Sequence, residues 1–147
     1  AQTESGPEAQ GQAAEVANDI GVVYTVLERW QDAEKWLGEA QQRFVQNDDL
    51  DGEAQTLGNL GSMYRARRDL RQAAAYLQLS ADRFHVVGND QHRAASLRAL
   101  SRVRLRQFRP LQAVLADREV LECHPKPNLL VNLLRALFVL PLRMQQR

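Results

Sequence analysis

The densest chemistry in this sequence is cationic. Arg98, Arg102 and Arg106 recur every fourth residue, a spacing that puts three guanidinium groups on one face of a helix. The surrounding segment, 91–109, holds six arginines and no acid. Like charges so spaced destabilise an isolated helix by about 0.2–0.5 kcal/mol per pair, so the ladder needs relief. A carboxylate-bearing or phosphorylated ligand would supply it by bidentate pairing. The protein's own acids are the alternative: Asp117, Glu119 and Glu122 in the next stretch, or the acidic N-terminal half.

The other reactive side chains form no catalytic set. Cys123 and His124 are the one thiol beside an imidazole, but neighbours at a helix end point apart. His85 and His92 have no further ligand at metal spacing. A phosphate-cradling glycine loop, a paired-His zinc helix and a nucleophile elbow are all missing from the sequence. The expectation is therefore a protein that is not an enzyme, with no catalytic residue, no cofactor and no metal.

Charge is divided along the chain. Residues 1–60 carry twelve acids and three bases, and residues 61–147 carry six acids and sixteen bases. The resulting poles of −9 and +10 can steer acidic partners to the C-terminal half, or draw copies together head to tail at low salt. Nucleic acid is the competing ligand for the basic stripe. It is not expected, because Phe108 is the one aromatic nearby for base stacking and the acidic half would repel a phosphate backbone.

The elements that position these groups are helical. Aromatics are only 6% of the chain, and Ala, Leu, Gln and Arg are abundant, a balance that favours helices over a β-sandwich or barrel. Self-similarity at a shift of forty residues reveals the organisation. Ala14, Gly21, Tyr24, Ala33, Leu37, Arg43 and Phe44 are matched by Ala54, Gly61, Tyr64, Ala73, Leu77, Arg83 and Phe84. Each block reads as two helices. Ala17, Ile20, Gly21, Tyr24 and Leu27 form one buried stripe, Leu57, Leu60, Gly61 and Tyr64 its counterpart. A glycine costs about 1 kcal/mol inside a helix, so its recurrence implies close approach of a neighbouring helix. The second helices are expected to bury Ala33, Trp36, Leu37, Ala40 and Phe44, or Ala73, Tyr76, Leu77 and Phe84. Trp30-Gln31-Asp32 and Asp69-Leu70-Arg71-Gln72 are read as the turns into them, with Asp69 an N-cap. A third block keeps Leu97, Leu100 and Ala113 but has Ser101, Arg104 and Asp117 where Gly, Tyr and Leu stood, and Pro110 opens its second helix.

A small residue, an aromatic three later, Ala twelve after the small one and a large apolar residue four beyond: this pattern resembles the tetratricopeptide repeat, in its longer-helix variant with a period near forty. The resemblance implies an all-α fold, a right-handed α-solenoid of three helical hairpins plus a C-terminal capping helix. It also implies a concave surface, lined by successive first helices, that grips peptides. One step beyond each buried stripe lie Asn18, Val22 and Val26, then Gly58, Ser62 and Arg65, then Arg98, Arg102, Leu105 and Arg106, so the groove grades from neutral to basic. The family's carboxylate clamp is incomplete here. Asn59 falls on a clamp position, but Asn18 stands where a Lys would be and Val22 where an Asn would be. A protein or acidic peptide is the expected partner.

The expected domain is single, over residues 8–147, with repeats at about 11–50, 51–90 and 91–125 and a last helix at 128–140, residues 1–7 being disordered. The run 129–140 is apolar except for Asn132 and Arg135 and too short to span a bilayer, which takes about 20 residues. It reads as a cap. Dimerisation through Leu130, Leu133, Leu134, Leu137 and Phe138 is the alternative, with contact to a membrane surface or a further domain behind it, and the molecule is expected as a monomer or homodimer. A lone cysteine forms no internal disulfide, which makes a reducing cytoplasm the default. Ala1 in place of Met suggests a segment of something longer, such as the sensing array of a bacterial regulator.

Overall fold

The computed structural model describes residues 7–107 and 110–123. They form six helices: α1 (Pro7–Val26), α2 (Trp30–Gln46), α3 (Leu50–Ala66), α4 (Leu70–Val86), α5 (Asp90–Arg106) and α6 (Pro110–Cys123). Each helix packs on its neighbours in chain order, and α1 also touches α3. The result is an α-solenoid of three hairpins, α1–α2, α3–α4 and α5–α6. Residues 1–6, and the C-terminal segment with its expected helix at 128–140, lie outside the described residues. So do all five residues named for dimerisation.

Helices α2 to α5 begin at residues 30, 50, 70 and 90, so the forty-residue block is two twenty-residue halves. One turn geometry, used four times, enforces this. Glu28, Asp48, Arg68 and Gly88 each have φ between 56° and 72°, and the amide of the following residue donates to the carbonyl five residues back at 2.9 Å. This is the left-handed Schellman closure of a helix. The residue after it then caps the next helix: Asp49, Asp69 and Asn89 accept the amides of Gly52, Gln72 and His92. Arg29, at the same place, offers no side-chain cap. Only the last turn uses glycine for the left-handed residue. Trp30-Gln31-Asp32, read as a turn, is instead the first turn of α2, because this closure consumes only residues 27–29.

Within each hairpin a glycine meets a leucine. A Cβ at Gly21 would lie 2.6 Å from Leu37 Cγ, and one at Gly61 would lie 2.7 Å from Leu77 Cγ and 3.1 Å from the Leu77 backbone nitrogen. The alanines repeat at full burial: Ala14, Ala54 and Ala94 in the first helices, Ala33, Ala73 and Ala113 in the second, none more than 1% exposed. The third hairpin replaces the glycine with Ser101, itself buried, and the leucine with a half-buried Asp117. Leu97, Leu100 and Val103 are fully buried nonetheless. Arg104 does not fill the tyrosine's place; it reaches Gln78 Oε1 of α4 at 2.9 Å and the Gln112 carbonyl of α6 at 3.1 Å.

One element of the expected core is on the surface. Leu27 is 60% exposed, and Val16 and Val23 are exposed beside it. The corresponding faces of α3 and α5 pack against the hairpin before them, and α1 has none before it among the described residues.

The glycine contact yields the first prediction. Gly61→Ala drives a methyl into the branch point of the buried Leu77 side chain, with the Leu77 backbone close behind it, and should destabilise by about 1–3 kcal/mol. Gly38, also in a helix but with nothing within 4 Å of an added Cβ, should gain about 0.5–1 kcal/mol on the same change. Opposite shifts in the urea midpoint are expected.

Candidate functional site

The first helices α1, α3 and α5 carry the expected groove residues, and the structure treats them unequally. Asn18 is only 7% exposed. Its Oδ1 accepts from Asn59 Nδ2 at 2.9 Å and lies 3.2 Å from the Thr56 hydroxyl. That hydroxyl is also 2.9 Å from the Gly52 carbonyl, and its single proton can serve one acceptor at a time. Asn18 and Asn59, both expected in the groove, therefore join α1 to α3, and Asn18 is buried in that contact. Gly58 sits against Ser80, whose hydroxyl is committed to the Ala54 carbonyl and to Ser96. Ser62 is half-buried and Val22 exposed.

The basic end is different. Arg65, Arg98, Arg102 and Arg106 are exposed, and among the described residues none of them forms an ion pair. The ion pair between α5 and α6 is Arg93 with Glu119, at 3.9 Å. It uses the acid that was one expected source of relief but leaves the ladder's charge untouched. Arg104 turns away to the α4 and α6 contacts already described.

Other polar and aromatic contacts tie the helices to one another. The Tyr64 hydroxyl donates to Glu34 Oε1 at 2.6 Å, and Arg67 approaches the same carboxylate at 3.5 Å. The Tyr64 ring stacks on Tyr76 at 5.3 Å. Burial first, and then the carboxylate beside it, push the Tyr64 phenol above its ordinary range. Glu53, 5% exposed, pairs with Arg83 and holds α3 to α4. At the N-terminal end, Arg29 lies over the Tyr24 ring at 4.8 Å. None of these couplings was visible in the sequence, where the two partners stand up to thirty-three residues apart. His92 stacks on Phe84, and His85 is exposed.

A regular stack of helical hairpins with one edge of exposed helix faces defines the class of α-solenoid repeat proteins. The family model described as tetratricopeptide repeat matches residues 12–84 and again 54–126. The chain belongs to the tetratricopeptide repeat family, whose repeats generally mediate protein–protein interaction and are typically non-catalytic. No curated protein sequence matches the chain. Among the described residues, no helix is long and apolar enough to cross a membrane.

The Tyr64 contact gives the second prediction. A phenol whose pKa is raised on folding contributes stability that is complete below the ordinary phenol value of about 10 and is lost as pH rises through the folded value. Unfolding midpoints should therefore fall above about pH 10. Tyr64→Phe should cost about 1 kcal/mol at neutral pH and flatten the alkaline fall; an unchanged alkaline slope would exclude the Tyr64–Glu34 bond as its source.

Proposed function

We propose that this repeat array is a scaffold or adaptor module that takes an acidic peptide, or an acidic segment of a protein, along the surface of α1, α3 and α5. Arg65, Arg98, Arg102 and Arg106 form the basic end of the contact. Val22, Ser62 and Asn59 line its more neutral part, and Asn18 supports it from beneath. The observation that carries the reading is the ladder itself: three exposed arginines at i, i+4 and i+8, without a carboxylate partner among the described residues. Evenly spaced guanidinium groups suit successive carboxylates of an extended or helical ligand, because each can pair in bidentate fashion. Membership of a family of interaction modules supports a protein as the partner. The lone cysteine fits a reducing cytoplasm as the place of action.

A fluorescein-labelled peptide bearing a run of glutamates is the probe. It should bind with an affinity that falls as salt rises, and a lysine analogue should not bind. Arg98→Glu with Arg102→Glu reverses two exposed charges that hold nothing else in place, so folding should survive and affinity should drop at least about tenfold, the equivalent of 1.4 kcal/mol. Equal affinity of the parent and the reversed protein would remove the ladder from the contact. Tighter binding of a single-stranded RNA than of the glutamate peptide would turn the assignment to nucleic acid.

A further inference from the structure

The outer face of α1 is built like a joint. Val16, Ile20, Val23 and Leu27 lie at i, i+4, i+7 and i+11, one face of a helix, and three of the four are more than half exposed. Forty residues on, the same positions in α3 are Thr56, Leu60, Met63 and Arg67. Forty further, in α5, they are Ser96, Leu100, Val103 and Gln107. The first three of each set are buried, at most 7% exposed, and the fourth bonds to the helix before it: Arg67 to Glu34 of α2, Gln107 to the Leu70 carbonyl of α4. Both internal copies of this face are thus closed by the preceding hairpin. The α1 copy is the most apolar of the three, and among the described residues nothing closes it.

We propose that this face is covered by the C-terminal apolar segment, residues 128–140, of a second copy of the chain, in a head-to-tail contact. Two properties select that occupant. The segment is apolar over the length of three helical turns, matching the extent of the stripe. The charges also match: from 123 to 147 the chain has Lys126, Arg135, Arg143 and Arg147 and no acid, whereas from 7 to 29 it has Glu8, Glu15, Asp19 and Glu28 against one base, Arg29, which is paired with Asp32. The segment of the same copy cannot serve. Asn18 faces α3 from the opposite side of α1, so the stripe looks away from the rest of the array. Reaching it from α6 means passing α5, α3 and α1, roughly 30 Å at about 10 Å per helix, and residues 124–127 extend at most about 14 Å. A contact between two different surfaces is heterologous and propagates into rings or open chains rather than stopping at a symmetric dimer.

The test is complementation between two defective chains, read by light scattering. The parent should grow in mass with concentration and shrink as salt is raised. Val23→Asp spoils the α1 face at a residue that is exposed in the single copy, so it should fold and be monomeric. A chain ending at Pro127 lacks the segment and should also be monomeric; Leu137→Glu in the full chain replaces it if the shortened protein is insoluble. Mixed, the two monomers should form a one-to-one complex, because each retains the half that the other lacks. Val23→Asp associating like the parent would mean contact through two C-terminal segments, and association of the tail-defective chain would mean contact through two α1 faces. Either result overturns the proposal. So does a parent that is monomeric at every concentration and salt, which would leave the α1 face to a different protein or to a preceding hairpin.

Discussion

The architecture depends on a clearance. In the first two hairpins the crossing point is a glycine on one helix and a leucine on the other, close enough that even a methyl group on the glycine would collide. That approach brings the backbones of α1 and α2, and of α3 and α4, close together, and the alanines that repeat along these helices are fully buried. The leucine then has to be where the glycine is, which fixes both the rotation and the axial position of each helix. Tight packing of small residues transmits such constraints because interiors are close-packed and yield little. The third hairpin abandons both members of the pair together, Ser101 for the glycine and Asp117 for the leucine, and keeps its alignment through Leu97, Leu100, Val103 and the Arg104 bridges to α4 and α6.

The turns set the pitch that this clearance needs. A left-handed residue every twenty positions ends α1 to α4, α2 to α5 share one length of 17 residues, and the residue after each left-handed one precedes the following helix. The four joints from α1 to α5, within hairpins and between them, therefore use one geometry, and this part of the array advances in equal steps. Equal steps align the corresponding faces of α1, α3 and α5, so any residue type repeated at forty becomes a continuous feature of the surface. In this chain the feature changes along the array: apolar at the Val22 end, mixed at Ser62 and Asn59, cationic at Arg98, Arg102 and Arg106. The gradient follows the charge division of the whole sequence, and an elongated stack keeps the two poles apart instead of folding them together.

Much of the fold was legible in the chain order of its residues, because the information lay in periodicity. Identical residues at a shift of forty located the hairpins, and the paired glycines announced a close crossing. Asp69 and Pro110 marked helix starts. The turn at residues 27–29 was misread, since its left-handed residue is Glu28, a type with no preference for that conformation, and no capping side chain follows. The candidate site was legible only in part. Periodicity assigns a residue to a face, and it correctly put Arg98, Arg102 and Arg106 together on an exposed one; it does not say what stands opposite. For that reason the burial of Asn18 against Asn59 and Thr56 of the next hairpin was not legible, and Leu27 was misjudged, bare because nothing among the described residues precedes α1.

By itself, then, the sequence determined the helices, their pairing and the cationic row, all properties of local spacing along one strand of chain. Tertiary structure alone decided which polar groups were already spent: Asn18 on α3, Glu119 on Arg93, Tyr64 on Glu34. It also decided that the arginine ladder keeps its charge unmatched by any described residue. The physical reason is that hydrogen bonds and ion pairs act over about 3 Å between groups up to forty-one residues apart in the chain, and only the stacking of one hairpin on another brings such groups within that range.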